Sequence, residues 1–414
     1  MATCAKFWVS MLVIKCVAGK DIPVGLLLPY DANYSYSMTQ VKPAVQMAIA
    51  KVNEEKLASL NLTIKLVARD SQRSEVHGPL AAIDIYRSVY LFLGPVYGYS
   101  IAPVSRYAAY WNIPVITAGA LETSFSEKSE YKTLTRVGLQ YSEAATVFKH
   151  ILIKYNWTNV ALIYHGNPEG TPRSVCYMLM WPMLEMIIEY TGKPDVAFKR
   201  KFDENTEFNA TKLLVEASLS ARIIFLCASP DSMRKLMLSA HSLGYTNGEY
   251  VFFSIDLFGR KNDLARPWYD ATKSLAENDR TKKAFKSVLS ITLKKPNNQQ
   301  YIQFSKEVKE KAKEEFPNVQ YAEEEVNYFV GAFHDAVLLY AMALNKTLEV
   351  NGSLLNGLEV THRMWNVSFN GVTGEVNIDD NGDRSTDYSL LGYNPSTDMF
   401  DTVGYYLGNK KKYQ

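Results

Sequence analysis

Residues 91–120 read LFLGPVYGYSIAPVSRYAAYWNIPVITAGA. An apolar run closes on Gly94-Pro95, a segment of helical character follows, and a second apolar run, Ile113 to Ile116, ends in Thr117-Ala118-Gly119-Ala120. Strand, turn, helix and strand in that order make the βαβ unit of a parallel sheet. Sheets of this kind hold ligands at the carboxyl ends of their strands. The question is what this edge receives: a nucleotide, a small solute, or something larger outside the cell.

Upstream, IPVGLLL (22–28) is a near-continuous apolar strand, as a sheet covered on both faces requires. From Thr39 the period becomes helical, with Val41, Val45, Ala48, Ile49 and Val52 on one face and Lys42, Gln46, Lys51 and Asn53 turned away. LTIKLVA (62–68) is a second strand, followed by a helix near 79–86 and a strand at 90–93. Beyond a polar stretch at 122–133 the alternation resumes, with helices at 141–155, 174–190, 207–219 and 231–243. Gly244 is placed to cap the last of them. The interleaved strands fall at 159–164, 196–202, 222–227 and 250–254. Two successive β/α arrays of similar size predict an α/β protein of two doubly wound parallel-sheet lobes.

The remainder is mixed. Residues 259–283 are charged and loop-like, helical patterns follow at 298–315 and 322–346, and GVTGEVNIDDNGDRSTDYSLLGY (371–393) alternates like a hairpin. Asp380-Asn381-Gly382-Asp383 reads as its tight turn. A tail of this kind returns to complete both lobes, so the chain crosses between them more than once and leaves a hinge and an interlobe cleft. The expected division is a signal peptide at 1–19, a first lobe of 20–137 plus about 255–362, and a second of 138–254 plus about 363–414.

With 414 residues, 47% hydrophobic and 21% charged, the chain is globular and large enough for two cores. A formal charge of +2 gives no reason to expect nucleic acid. The first residues carry Lys6, an apolar run from Phe7 to Ile14, and small residues at Ala18 and Gly19, the pattern of a secretory leader. A tethering amino-terminal tail is the plainer alternative, and Lys15 argues for it. Cys4 and Cys16 fall inside the leader, leaving Cys176 and Cys227. Two cysteines in a secreted chain suggest one disulfide, worth about 4 kcal/mol by chain entropy for a loop of about 50 residues. Two separate buried thiols are the other reading. Seven N-x-S/T sequons, at Asn33, Asn61, Asn156, Asn209, Asn345, Asn351 and Asn366, mark glycosylation sites if the chain is secreted. No run after the leader approaches the roughly 18 apolar residues of a membrane span; FVGAFHDAVLLYAMAL (329–344) carries His334 and Asp335.

Catalytic patterns are missing. The turn GPVYG (94–98) is neither G-x-G-x-x-G nor G-x-x-x-x-G-K-[ST], and Pro95 removes a backbone N–H that a phosphate cradle would use. There is no H-E-x-x-H and no C-x-x-C. DDNGDRSTDYSL (379–390) looks like a calcium loop, but Gly382 stands at position 4 instead of 6 and Leu390 replaces the bidentate Glu. It reads as a solvated hairpin turn. His334 and Asp335, adjacent on a helix, point in different directions and read as core or hinge residues. The serines after Cys227 lack a nucleophile elbow. These patterns favour binding over turnover, with no metal and no cofactor expected.

Several strings, taken in order, carry a resemblance: LGPVYGYSIAPVSRYAAYWNIPVITAGA, SEYKTLTRVGLQYS, NWTNVALIYH, CASPDSMRKLMLSAHSLGYTNGEYVFFSIDLFG, FHDAVLLY and RMWNVSFNGVTGEVNIDDNGDRSTDYSL. Together they resemble the extracellular ligand-binding domain of natriuretic peptide receptors, a family of receptor guanylyl cyclases and a clearance receptor, along nearly all of residues 21–408. The resemblance implies a type I periplasmic-binding-protein-like fold and a homodimer that grips a disulfide-ringed peptide hormone between protomers. It further implies peptide contacts from Tyr99 and Arg106 in the first lobe, from Glu130 and Tyr131 near the crossover, and from Tyr164, Tyr177, Met178 and Phe202 in the second lobe. A cationic, aromatic peptide suits carboxylate and aromatic partners. For Tyr164 and Phe202 the plain alternative is strand-end core, and for Tyr177 and Met178 the buried side of an amphipathic helix.

Cys176 and Cys227 match one family disulfide. The sequence departs from the family at three points. The first-lobe disulfide would need cysteines near Arg73 and at Tyr97, where there are none. The shortened segment 72–78 lacks an acidic contact, and the family's chloride site, matched by Ser71, Val96 and Tyr97, loses its covalent brace. Pro182 stands early in the helix after Cys176, where a kink would tilt the peptide-facing side. The sequence ends at GNKKKYQ with no membrane-spanning, kinase-like or cyclase segment in it, so by the resemblance this chain itself makes no cGMP. The expected setting is extracellular, as a secreted form or part of a longer receptor. Two alternatives are a soluble decoy and a small-solute binder using strand-end groups such as Thr117 and Ser254. A nucleotide enzyme is argued against by the turn chemistry.

Overall fold

The computed structural model describes residues 19–166, 174–296, 298–321 and 325–414. The expected signal peptide therefore lies, Gly19 apart, outside the described residues. Strands β1 (Lys20–Leu28), β2 (Leu62–Asp70), β3 (Leu91–Leu93), β4 (Val115–Thr117) and β5 (Leu134–Arg136) alternate with helices α1 (Met38–Val52), α2 (His77–Ile85) and α3 (Gly98–Trp111). They form one parallel sheet in the order β2-β1-β3-β4-β5. The run Leu26-Leu27-Leu28 is apolar throughout because successive side chains enter different cores. Leu26 and Leu28 pack on the side of α1, and Leu27 on the side of α2 and α3.

The second array repeats the plan. Helices α4 (Tyr141–Tyr155), α5 (Val175–Thr191), α6 (Ala210–Ser218) and α7 (Pro230–Ser242) alternate with β6 (Val160–His165), β7 (Phe198–Phe202), β8 (Ile223–Cys227) and β9 (Val251–Ile255). After α8 (Lys261–Ala265) and α9 (Leu275–Phe285), β10 (Val288–Leu293) adds in parallel beside β9. The order β7-β6-β8-β9-β10 reproduces that of the first sheet. The chain then returns to the first lobe. Helices α10 (Gln299–Glu315), α11 (Tyr328–Glu349) and α12 (Gly357–His362) carry Val308, Phe333, Leu344 and Val360 into the core below α1. A small antiparallel sheet of β11 (Val367–Gly371), β12 (Gly374–Ile378) and β13 (Arg384–Ser385) joins them there. Finally β14 (Tyr388–Asn394), β15 (Met399–Leu407) and β16 (Lys412–Tyr413) run antiparallel onto the edge of β10.

This topology corrects the expected division. Residues 261–293, assigned from the sequence to the first lobe, belong to the second, β10 in its sheet and α8 and α9 against its core, and 367–378 pack in the first-lobe core. The loop expected at 259–283 contains α8 and α9, and the expected hairpin at 371–393 is split between two sheets. Helix α9 hides from a hydrophobic pattern because two of its inward positions are Asn278 and Thr281. Three connections cross between lobes: β5 to α4, β10 to α10, and β13 to β14. Gly244, at φ +75°, follows α7 as expected. Pro182 is buried inside α5, which continues to Thr191 without a break. Among the described residues no helix is long and apolar enough to cross a membrane.

Candidate functional site

Helix α3 buries Ile101, Val104 and Ala108 against the sheet and turns Tyr99, Arg106, Tyr107 and Tyr110 outward. Residues 99, 106 and 110 share a face because seven and eleven positions are near whole turns. Arg106 Nε donates to Glu130 Oε1 at 2.5 Å and Nη2 to the Tyr131 hydroxyl at 3.0 Å. Its guanidinium also lies 5.3 Å from the Tyr131 ring centre. The bond to Glu130 raises the Arg106 pKa still further, so the charge is permanent. Tyr131 is buried against Phe125, while Glu130 stays exposed. Arg106, expected from the first lobe, thus joins the expected Glu130–Tyr131 pair in one cluster. An exposed pair of this kind contributes little to stability and can exchange partners with a charged ligand.

The second group surrounds the disulfide. Cys176, in the first turn of α5, is bonded to Cys227 at the end of β8, with a Cα–Cα distance of 5.4 Å. This decides between one disulfide and two separate thiols. Ser174 caps α5 by accepting from Tyr177 N at 3.2 Å. Tyr177 is exposed, Met178 half-buried on the α4–α5 core, and Tyr164 half-buried at the end of β6. Burial, with Tyr177 nearby, raises the Tyr164 hydroxyl pKa. Phe202 does not join them: it is 8% exposed, with its ring 4.4 Å from Phe208, and is a core residue. Trp181, 72% exposed one turn beyond Tyr177, extends the aromatic face of α5. Its spacing of four from Tyr177 is the signal in the sequence that places both rings on one face.

Of the expected chloride donors, Val96 and Tyr97 lead into α3 and Ser71 follows β2. Ser71 and Val96 are buried and Tyr97 is half-buried. The same helix end is already faced by Glu122, whose carboxyl packs against Gly98 and is pushed up by burial. A carboxyl at this position opposes a bound anion, so the residues present fit chloride poorly. Of the sequon asparagines, Asn61, Asn156, Asn351 and Asn366 have left-handed backbones, which gives Asn a conformational reason to be there. Asn345 lies inside α11, and Thr347 of its sequon is buried with its hydroxyl bonded to Ala343 O.

Two polar clusters that no motif announced hold the lobe crossings. Arg136, fully buried at the end of β5, meets Asp383 through Nε at 2.6 Å and Nη2 at 2.7 Å, and also donates to Ala120 O and Glu122 O. Lys128 joins Asp383 at 3.0 Å. The turn expected to be solvated thus sends Asp383 into the interior. At the second cluster Glu143 accepts from Thr386 N at 2.8 Å and from the Tyr388 hydroxyl at 3.4 Å. Arg384, Thr386 and Tyr328 lie around it, the Thr386 side chain interacting with both Glu143 and Tyr328 and the Arg384 charge favouring the carboxylate. Asp335 holds the β11–β12 turn by accepting from Val372 N and Thr373 N, and His334 packs edge-on to Phe304, so this pair is structural.

An interlobe cavity of about 450 Å3 is lined by Asn33 and Phe329 from one side and Phe258 and Lys294 from the other. Part of its polar wall is bonded within itself: Asn327 Nδ2 donates to Ser35 O and Gln40 Oε1, and the Tyr321 hydroxyl to Gln40 O. Neither strand-end group expected from the sequence lines it. Thr117 is buried, its hydroxyl donating to Pro95 O and accepting from Gly119 N, and Ser254 stays within β9.

Comparison with known proteins extends the geometry. Residues 40–396 match the family described as receptor family ligand binding region. The chain is 31% identical over 411 residues to atrial natriuretic peptide receptor 3 of Mus musculus, covering 97% of this chain and 74% of that protein. It is 32% identical to receptor-type guanylate cyclase gcy-28 of Caenorhabditis elegans, covering 92% and 33% respectively. Against atrial natriuretic peptide receptor 2 of Bos taurus the identity is 29%, covering 97% and 39%. A match of this length, over a fold with the expected paired sheets, shows that the chain belongs to the receptor family ligand binding region, among the relatives of the natriuretic peptide receptors.

Proposed function

We propose that this chain binds a disulfide-ringed, natriuretic-type peptide hormone outside the cell, between two copies of itself. The observation that carries this reading is the Arg106–Glu130–Tyr131 cluster on the open face of α3, with Tyr99 on the same helix. It offers a carboxylate, a guanidinium and aromatic rings side by side, the partners a cationic and aromatic peptide needs. Tyr164, Tyr177 and Met178 supply an aromatic counterpart on the second lobe. A further support is the apolar surface of α2 and α3, where Val76, Leu80, Ile83, Tyr107 and Tyr110 are exposed, Tyr110 to 89%. Contiguous apolar surface of this kind marks an interaction face, and it adjoins the peptide-facing cluster.

The relatives are named as natriuretic peptide receptors, which supports the ligand class. The disulfide suits an oxidising, extracellular setting. In this reading the hormone favours one arrangement of the two copies, and the change between arrangements is the output. A small ligand in the interlobe cavity is the second reading, favoured by that cavity's volume and disfavoured by the bonds Asn327 already makes to Ser35 and Gln40 in its wall.

The test is calorimetric titration of the glycosylated, secreted chain with natriuretic-type peptides, with mass followed by light scattering. Saturation at one peptide per two chains is the expected result, and Glu130→Lys is expected to weaken binding at least about tenfold, the loss of one charge-assisted contact, with the fold intact. Peptide affinity unchanged in Glu130→Lys removes that residue from the site, and no saturable binding to any such peptide rejects the reading.

A further inference from the structure

At the carboxyl edge of the first sheet the Arg73 guanidinium lies between two aromatic rings, 4.7 Å from the centre of Tyr34 and 4.8 Å from that of Tyr97. Its Nε donates to the Tyr36 hydroxyl at 3.1 Å, and Nη1 reaches the Tyr34 hydroxyl at 3.5 Å. The stack continues both ways. Tyr97 lies 5.4 Å from the ring of Tyr99, and Tyr36 lies 5.4 Å from Phe329 of α11. The backbone takes an uncommon route to place this side chain, since Gln72 and Arg73 both have positive φ, +49° and +52°. Two consecutive residues with side chains in the left-handed region carry a conformational cost that local contacts must offset. A planar cation between two rings, hydrogen-bonded at its rim, is the contact that does so.

We infer that Arg73 is a positioning residue for the ligand surface: it holds Tyr97, and through Tyr97 the half-exposed Tyr99, in the orientation presented at the start of α3. The inference rests on the peptide-binding reading and deepens it. Arg73 and Tyr97 also stand where the family resemblance would place a disulfide. A stacked arginine does that bracing without a covalent bond, so this edge is indifferent to reductant while the second lobe is not.

The experiment uses the whole chain and two readouts. Hydrogen exchange is measured over residues 71–77 and 96–101, and affinity for a natriuretic-type peptide is measured for Arg73→Ala, Arg73→Lys, Tyr99→Ala and the Arg73→Ala/Tyr99→Ala pair. Arg73→Ala is expected to speed exchange in both segments, to leave the second lobe protected, and to weaken the peptide about tenfold, the scale of one lost aromatic contact. Arg73→Lys should recover part of that loss, and Arg73→Ala should add nothing once Tyr99 is gone. Unchanged exchange at 96–101, or losses from Arg73→Ala and Tyr99→Ala that simply add, overturns the inference. If the wild-type chain binds no peptide the functional reading fails and the ligand role of Arg73 with it, while the exchange result still decides whether Arg73 holds Tyr97.

Discussion

Arg136 shows how one residue can close a chain that returns on itself. It is fully buried, and the carboxylate of Asp383, 247 positions away, satisfies two of its nitrogens. Removing one partner of a buried pair leaves the other charged and unsolvated. Asp383→Ala strands both Arg136 and Lys128 and is expected to lower stability by about 3–5 kcal/mol in chemical denaturation at pH 7. Glu143 makes the pH-dependent counterpart. Burial away from water pushes its pKa up to about 8, against an ordinary 4.5, although the bonds from Thr386 and Tyr388 and the charge of Arg384 pull it back. A carboxyl raised in the folded state binds more protons folded than unfolded between those values, so its stabilising contribution is complete below about pH 4.5 and is lost as pH rises through 8. Half-buried as the side chain is, the swing is on the order of 1–2 kcal/mol after solvent screening. Glu143→Gln is expected to flatten the fall in stability between pH 5 and pH 8 and to stabilise the chain at pH 8; denaturation midpoints at the two pH values check this.

Among the elements, α9 is the instructive case. Its start is written in the sequence as Ser274 with Glu277 three residues on, and both bonds of a capping box form: Ser274 Oγ accepts from Glu277 N, and Glu277 Oε2 accepts from Ser274 N. That signal was legible and outweighed by the surrounding charge. Ser274→Ala is expected to cost about 1 kcal/mol and to raise hydrogen exchange in 275–285 ahead of the rest of the second lobe. The following strand, VLSITL, pairs with β9 in parallel and with β14 in antiparallel register, which makes it the seam where the parallel array ends and the carboxyl-terminal strands attach.

For the whole molecule the repeated strand order is the organising fact. Two parallel arrays of the same strand order are joined by three crossings, and the polar clusters at Asp383 and Glu143 sit where two of them, β5 to α4 and β13 to β14, meet. The lobes are therefore joined through a braced hinge, the kind of connection about which two-lobed proteins change arrangement. If a second copy covers α2 and α3, a charge placed there should separate the copies. Leu80→Glu, at a position 54% exposed and touching no core, is expected to leave the monomer fold unchanged and to shift light-scattering mass from dimer toward monomer; an unchanged mass places the dimer face elsewhere.

The sequence by itself determined the two β/α arrays, most of their strands and helices, Cys176 and Cys227 as the candidate pair, and the absence of nucleotide-binding and metalloenzyme patterns. Those features are local, because the period of a strand or helix comes from its own backbone and the face it buries. Tertiary structure alone decided that 261–293 belong to the second lobe, that Phe202 is core, that Arg106 joins Glu130 and Tyr131, and that Arg73 stacks between Tyr34 and Tyr97. Each of these joins residues from separate elements. Which elements become neighbours is set by sheet pairing and by the need to satisfy buried charge, and neither leaves a period in the chain.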